Sequence, residues 1–226
     1  MSTVMPVSIY RGMADALQPN ARLVPAPGAE LCVAFANTRY WRGSEPPREK
    51  LNGLGDVLAW CEDARAIDAR MLRELEGWAG QHGGEATRLF GDMVAARETI
   101  YALLGAAAVG DAGAGRDIDA LNQLLAMAPA RTRLAAGETG SLWRLPAAMP
   151  TAASLLAPVF WSAGDLLAGQ QLQRLRMCAN EKCRWLFIDD SKSGTRRWCS
   201  MNTCGNRAKA HRHYLRKTGA AADHAD

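Results

Sequence analysis

The sequence predicts an α+β fold, in which a mostly helical N-terminal domain with a few strands precedes a much smaller C-terminal module. Three observations lead to this prediction. Apolar residues recur at helical spacing through most of the chain up to residue 170. Short runs punctuated by glycine over 131–145 favour a hairpin instead. The C-terminal module, residues 171–217, contains Cys178, Cys183, Cys199 and Cys204 within a short span.

The chain divides into four predicted segments. They are a proline-containing leader at 1–28 with one helical turn near Met13–Leu17, the helical domain at 29–170, the cysteine-containing module at 171–217, and a flexible tail at 218–226. The chain has 226 residues, of which 48% are apolar. A chain of this length and composition can bury a sizeable core, which excludes a disordered protein.

The elements of the helical domain follow from its apolar pattern. Leu31–Ala36 is a continuous apolar run, which predicts a buried strand. Gly43–Glu49 contains two prolines and predicts a loop. Apolar residues at helical spacing then predict four amphipathic helices, over 54–61, 71–78, 85–109 and 118–125. After the hairpin, Thr151 predicts the N-cap of a last helix, and Pro158 must kink or restart that helix because proline lacks an N–H donor.

The apolar segments and the N-terminus give no sign of a membrane or secreted protein. The longest stretch without charge, Leu145–Gly164, contains three prolines and does not predict a spanning helix. Residues 1–10 lack the basic start and long apolar centre of a secretory signal. We therefore expect a cytoplasmic protein with no membrane partner, whose cysteines stay reduced. Cys32 and Cys61 lie on predicted apolar faces and are expected to be core thiols.

The other four cysteines form two pairs with matched spacing. Cys178 and Cys183 are separated by four residues, fifteen residues follow, and Cys199 and Cys204 are again separated by four. This spacing is typical of a structural zinc site, where four thiolates hold one ion tetrahedrally and leave no position open for chemistry. The alternatives are two disulfides, which a reducing compartment disfavours, and a redox pair, for which the spacing is wrong.

The residues between the cysteine pairs predict how the module is built. Arg184–Ile188 has a strand pattern, and Thr195–Cys199 is expected to return as the second strand of a hairpin. A helix is then predicted from near Cys204 to about Lys217. This order is a treble-clef arrangement. Because a module of this size buries little apolar surface, the metal would supply much of its folding free energy.

The predicted helix separates its residues into two stripes. Cys204, Ala208, His211 and Leu215 share the stripe expected to face the metal and the hairpin, with His211 beside the site rather than a ligand. The opposite stripe carries Lys209, Arg212 and Arg216 and is expected to face solvent. We expect Trp185 and Trp198 to form the small core of the module rather than platforms for bases.

Positive charge is concentrated in the C-terminal module. Residues 171–217 hold 12 Lys+Arg and 3 Asp+Glu, a net charge of +9, whereas residues 1–170 hold 15 and 18, a net charge of −3. Four thiolates and one Zn²⁺ would leave the module at about +7. Such a surface attracts polyanions, and the interleaved aromatic residues favour nucleic acid. The alternative is an ordinary solvated face.

Two segments resemble known families. The segment from Arg176 to Lys209, and above all Cys204-Gly205-Asn206-Arg207, resembles the CGNR zinc-finger family of bacteria. Upstream, Leu31–Thr38, followed by Trp41-Arg42-Gly43 and the helix ending near Trp60, resembles the ABATE domain that usually precedes that finger. The resemblance implies a stress-responsive transcription regulator, with the N-terminal domain as sensor or partner surface and the finger as DNA binder. It also implies that the four cysteines of the module ligate one structural zinc ion.

The leading functional hypothesis is therefore a DNA-binding regulator. The candidate DNA contacts are Arg196, Arg197, Arg207, Lys209, Arg212, Arg216 and Lys217. The main alternative is a zinc-stabilised protein-interaction or RNA-binding module. A single finger with about five phosphate contacts would bind weakly at physiological salt, which favours a homodimer.

A second candidate site follows the predicted first strand. Asn37, Arg39, Trp41 and Arg42 could line a pocket for a small-molecule effector, or the N-terminal domain could instead bind a protein effector. The alternative is a turn in which Asn37-Thr38 bonds its own backbone. An enzyme is not expected, because the sequence has no Walker loop, dinucleotide fingerprint, His-Glu-x-x-His motif or nucleophile elbow.

Overall fold

Helices make up most of the N-terminal domain. The computed structural model describes residues 22–110, 115–138, 140–146 and 150–218. The helices are α1 (Glu30–Ala36), α2 (Leu54–Asp63), α3 (Ala69–Gln81), α4 (Gly83–Ala108), α5 (Gly115–Met127), α6 (Ala152–Leu155), α7 (Ala157–Ala168) and α8 (Asn206–Thr218). The predicted turn at Met13–Leu17 and the predicted tail beyond Thr218 lie outside the described residues. None of the helices described is both long and apolar enough to cross a membrane.

The strands of the described residues form three small antiparallel sheets. The first sheet has the order β1 (Arg22–Val24), β5 (Gly140–Leu145), β4 (Leu134–Gly137), the second pairs β2 (Arg39–Tyr40) with β3 (Arg48–Glu49), and the third pairs β6 (Leu175–Met177) with β7 (Leu186–Ile188). The predicted hairpin over 131–145 is confirmed as β4 and β5, with Leu134 opposite Trp143. Strand β1 falls within the predicted leader and was not expected there.

The prediction of a strand at Leu31–Ala36 is wrong, because this segment forms helix α1. Four of the seven residues of α1 are buried, since the helix lies between α7 and α4. An apolar run this short has no period that separates a buried strand from a buried helix. A side chain of α7 satisfies one backbone amide in the first turn of α1, because the Cys32 amide donates to the Ser162 hydroxyl at 3.0 Å.

The four amphipathic helices predicted from periodicity are confirmed as α2 to α5. Helix α3 begins after Asp68, whose carboxylate accepts from the Met71 amide at 2.7 Å. The predicted cap at Thr151 is also confirmed, because Thr151 and Ser154 each bond the other's backbone amide at 3.1 Å. As predicted, a new helix, α7, begins just before Pro158. This proline lies in the first turn, where its missing N–H costs no hydrogen bond within the helix.

The hairpin predicted for the C-terminal module is wrong in its second strand. Strand β7 does form, but it pairs with β6, whereas Thr195–Cys199 is not a strand. The other edge of β7 is occupied by the side chain of Asn37, which donates to the Leu186 carbonyl at 2.8 Å and accepts from the Leu186 amide at 3.1 Å. A side-chain amide thus takes the position of a third strand.

The β6–β7 pair belongs to the main core. Leu175 and Leu186 are buried in the same apolar cluster as Phe35, Met93 and Leu104. Both strands contact α4, and β7 also contacts α1. The C-terminal module therefore packs against the helical domain through the β6–β7 hairpin. This packing fixes the position of the cysteines relative to α1 and α4.

Candidate metal centre and its surroundings

Four cysteines come together at the end of the β6–β7 pair. The Sγ atoms of Cys178, Cys183, Cys199 and Cys204 all lie within 4.8 Å of one another. Three of the side chains are buried and Cys199 is half-buried. Cys178 directly follows β6, and Cys204 lies in a single π-helical turn, Met201–Gly205, just before α8. The sequence spacing therefore identified the four residues that the fold brings together.

The first cysteine pair is held by a tight turn around Asn180. The Asn180 carbonyl accepts from the amides of Cys183 at 2.8 Å and Arg184 at 3.1 Å, and its side chain accepts from the Lys182 amide at 3.1 Å. The same side chain directs its Nδ2 at the Cys204 sulfur, at 3.6 Å. Asn180 thus fixes the backbone at Cys183 and contacts the sulfur of Cys204, as residues around a metal-ligand set commonly do.

The four sulfurs fit a tetrahedral zinc ion. Four Zn–S bonds of about 2.3 Å in a tetrahedron set the sulfurs about 3.8 Å apart. The Sγ atoms of Cys183 and Cys199 are 3.7 Å apart, and those of Cys199 and Cys204 are 3.8 Å apart. Both separations are much longer than the S–S bond of a disulfide, about 2.05 Å, and all four cysteines are free.

The loop between β7 and Cys199 is braced by two side chains. The buried carboxylate of Asp189 accepts from the amides of Ser191 at 3.0 Å and Arg196 at 2.9 Å. The Arg196 guanidinium donates to the Trp198 carbonyl at 2.9 Å and to the Cys199 carbonyl, and it lies 4.8 Å from the centre of the Phe187 ring. The structure therefore gives Arg196, a predicted DNA contact, a role in holding the metal-binding loop.

Helix α8 stands away from the rest of the module. Cys204 and Gly205 are buried, whereas Ala208 and Leu215 are half-buried. His211 is exposed, so its predicted position packed beside the metal is wrong. Beyond its first turn, α8 packs little against the rest of the protein, so the side of the helix that carries His211 is exposed to solvent. Trp185 and Trp198 pack against the cysteine cluster, as expected of a small core.

The other candidate DNA contacts are exposed basic side chains. Five of them lie on α8, namely Arg207, Lys209, Arg212, Arg216 and Lys217. Arg207 is also exposed and lies 4.5 Å from the centre of the Trp41 ring, while Arg197 lies 5.6 Å from the Trp198 ring. None of these six forms an ion pair with another residue in the part of the chain that the structure describes.

A loop of the helical domain reaches the first cysteine pair. The amides of Arg42 and Gly43 donate to the carbonyls of Cys183 at 3.3 Å and Lys182 at 3.2 Å. A Cβ atom at Gly43 would lie 1.8 Å from the Glu181 carbonyl oxygen, so this contact requires glycine. Trp41 packs against the cysteine cluster. The helical domain therefore supplies part of the shell around the candidate metal centre.

The Arg42 side chain is itself fixed by the helical domain. Its guanidinium donates to Glu98 of α4 at 2.6 and 3.2 Å and to the Ala36 carbonyl at 3.0 Å. It also lies 3.7 Å from the centre of the Tyr101 ring, and the Tyr101 hydroxyl donates to the Arg184 carbonyl at 2.8 Å. Burial raises the pKa of Glu98, but its bonds to Arg42 and Arg97 outweigh this and hold the pKa below its usual value.

A second ion pair, between Arg97 and Glu49, stabilises the loop that carries Arg42 and Gly43. Arg97 of α4 is 1% exposed and donates to both carboxylate oxygens of Glu49, at 2.6 and 2.7 Å. It also donates to the Thr38 hydroxyl at 3.2 Å. The Thr38 hydroxyl donates to the Phe35 carbonyl, so Thr38 follows the predicted turn chemistry. A buried charge is retained only with such partners, so Arg97 fixes the two ends of the β2–β3 segment.

The predicted pocket residues thus lie at the junction of the two parts of the chain. Asn37, Trp41 and Arg42 all contact the C-terminal module or position the loop that does. Arg39 is more exposed and lies 3.8 Å from Glu98. Their place after an apolar run identified these residues in the sequence, whereas no role was predicted for Gly43, Glu98 or Arg97, and Gly43 was named only as the first residue of a loop and for its resemblance to the ABATE domain. A small-molecule role for the four stays a prediction.

The fold and the site together define a helical domain that carries a tetracysteine zinc finger. The sequence profile of the CGNR zinc finger family matches residues 174–217. The profile of the ABATE family, described as "Putative stress-induced transcription regulator", matches residues 29–170. The chain therefore belongs to the ABATE family and carries a CGNR zinc finger after its ABATE domain. A search of curated protein sequences finds no match.

The two cysteines outside the quartet are expected to resist modification. Burial raises the pKa of Cys32 to about 11 and that of Cys61 to about 12. Because the thiolate is the reactive form, both stay unreactive at pH 8. We expect a maleimide to modify neither residue in the folded protein within an hour, and both after denaturation, as read by peptide mass spectrometry. Fast labelling of either in the folded protein would contradict this core assignment.

Proposed function

We propose that the protein is a DNA-binding transcription regulator. One zinc ion, held by Cys178, Cys183, Cys199 and Cys204, would fix α8 to the body, and the helical domain would act as the sensor or partner surface. The observation that carries the proposal is the surface of α8, which holds five Lys and Arg residues and no acidic residue, all five exposed. Such a helix attracts the DNA backbone without a loss of internal ion pairs.

Zinc would supply cross-linking rather than chemistry in this proposal. Four cysteinate ligands complete a tetrahedral shell, which leaves no coordination position for water or substrate. We therefore infer that the protein is not an enzyme. The residues around the quartet act on its shape, because Asn180 contacts the sulfur of Cys204 and Arg196 braces the loop that carries Cys199.

The outer side of α8 would make the main contacts to a DNA duplex. Lys209, Arg212, Arg216 and Lys217 would reach phosphates or base edges in the major groove, as recognition helices do. Arg197 and Arg207 would meet the neighbouring backbone. A second copy of the chain would extend the contact, because one short helix makes too few phosphate contacts for tight binding at physiological salt.

Charge reversal on the outer side of α8 tests the proposal. Duplexes are first selected from a random library with the zinc-loaded full-length protein. We expect Lys209→Glu/Arg216→Glu to weaken binding to a selected 20-base-pair duplex at least ten-fold at about 0.1 M salt. The slope of log K against log salt should fall by about 2, since each lost phosphate contact removes about 0.9. Fluorescence anisotropy across a salt series measures both quantities.

The matched control reverses two exposed arginines of the helical domain, Arg73→Glu/Arg133→Glu. The total charge change is the same, so a general electrostatic effect would weaken both double variants equally. Loss confined to the α8 variant supports the proposal. Failure to enrich any duplex, together with binding to RNA alone or to a protein alone, would instead favour the zinc-stabilised interaction or RNA-binding module.

A further inference from the structure

A groove runs between the first cysteine turn and the inner side of α8. Its larger part, about 480 Å³, lies between Ala179–Lys182 and the residues Arg207, Ala208 and His211. A second part, about 270 Å³, continues past Arg197 and Arg212. Both parts are lined by Trp198, Ala208 and His211, so they adjoin each other, and we name the two together the knuckle groove.

The lining of the knuckle groove combines cations with an aromatic wall. Lys182, Arg197, Arg207 and Arg212 are all exposed side chains around it, and Glu181 is the one acidic residue among its described lining residues. Trp198 is half-buried, since part of its ring packs on the cysteine cluster. Cationic grooves with aromatic side chains are the common way to bind unpaired nucleotides, whose phosphates meet the cations while bases stack.

Two of these cations are held in place before any ligand binds. Arg207 lies 4.5 Å from the Trp41 ring, and Arg197 lies 5.6 Å from the Trp198 ring. Arginine on an aromatic face keeps its hydrogen-bond donors free at the edge of the guanidinium plane. Both residues can therefore donate to phosphate oxygens without losing these contacts.

We propose that the knuckle groove binds an unpaired segment of a nucleic-acid strand. One or two nucleotides would lie between the cysteine turn and α8, with a base against Trp198 and phosphates near Lys182, Arg197, Arg207 and Arg212. The volumes suit a ligand of that size, whereas a duplex is too wide to enter. The inference rests on the proposed function in that the polyanion is a nucleic acid, and it adds a second mode on the inner side of α8, in which Arg197, Arg207 and Arg212 would contact a single strand instead of the duplex.

The test compares a groove pair with an outer pair in the zinc-loaded full-length protein. The groove pair is Lys182→Glu/Arg197→Glu and the outer pair is Lys209→Glu/Arg216→Glu, so the charge change is identical. The probes are a labelled ten-nucleotide oligothymidine and the selected duplex. We expect the groove pair to weaken binding of the single strand at least ten-fold, and by more than it weakens the duplex. The outer pair should show the reverse order.

A second readout examines the base contact directly. An oligonucleotide with 5-iodouracil, irradiated in complex with the protein, should cross-link within 179–182, 197–198 or 207–212, as located by mass spectrometry. Trp198→Leu, checked by thermal melting for an intact fold, should reduce this cross-link and the single-strand affinity at least five-fold.

The outcomes separate the two proposals. A retained duplex complex with no single-strand binding, or equal losses from both pairs with both probes, would overturn the knuckle groove alone. Cross-links confined to the outer side of α8 would do the same. Failure to bind either nucleic acid would overturn the proposed function together with the groove. Selective loss of the single strand in the groove pair supports the inference.

Discussion

Replacing Cys204 by serine is expected to abolish stable zinc binding and to lower the melting temperature of the whole chain. A structural zinc site contributes about 10–16 kcal/mol to the folding of a small finger, and a serine hydroxyl is a poor replacement for a thiolate ligand. Even a loss of about 5 kcal/mol corresponds to a decrease of roughly 10–20 °C for a chain of this size. We expect zinc content to fall from one ion per chain to well below that value.

The destabilisation should extend beyond the finger because the two parts share a core. Leu175 and Leu186 are buried together with residues of α1 and α4. The Asn37 side chain also loses its partners if β7 unfolds, since both of its bonds are made to Leu186. Hydrogen exchange should therefore quicken not only over 174–217 but also over α1. Mass spectrometry of the exchanged peptides measures this spread.

Cys61→Ala is the matched control for the loss of a thiol. Cys61 is buried in the helical domain, 0% exposed, and has no part in the quartet. Its replacement should cost about 1–2 kcal/mol for the lost packing and leave the zinc content unchanged. If Cys204→Ser kept a full equivalent of zinc and the native melting temperature, the tetracysteine centre would be wrong.

The sequence predicts those features that depend on residues close together in the chain. The helical spacing of Val57, Leu58 and Cys61, or of Leu89, Met93 and Ile100, identifies a buried face without knowledge of its partner. The cysteine spacing is also local information. For these reasons helices α2 to α5, the Thr151 cap and the four clustered sulfurs were all predicted correctly.

The features that sequence analysis missed depend on contacts between distant residues. Asn37 and Leu186 are 149 positions apart, so no local pattern shows that a side chain closes the edge of β7. The same holds for Gly43 and Glu181, whose close contact makes the loop part of the metal-centre shell. Helix α1 was mistaken for a strand because every residue from Leu31 to Ala36 is apolar, including the exposed Ala34, so the sequence shows no period that distinguishes the two.

Gly43→Ala is expected to weaken zinc binding although Gly43 is not a metal ligand. The new Cβ atom would lie 1.8 Å from the Glu181 carbonyl oxygen, so the loop and the cysteine turn must move apart. That movement weakens the two backbone bonds from Arg42 and Gly43 to the carbonyls of Cys183 and Lys182. Loss of outer contacts around a metal commonly costs ten-fold or more in affinity.

Zinc release measures this effect without reference to nucleic acid. We expect the transfer of zinc to a chromogenic chelator to be at least ten-fold faster for Gly43→Ala than for the unmodified protein. Gly55→Ala is the matched control, because a Cβ atom at this position in α2 meets nothing within 4 Å and alanine favours a helix. Its zinc release should stay unchanged. Equal release from all three proteins would mean that the finger holds its zinc independently of the helical domain, and that the junction at Gly43 does not couple the two.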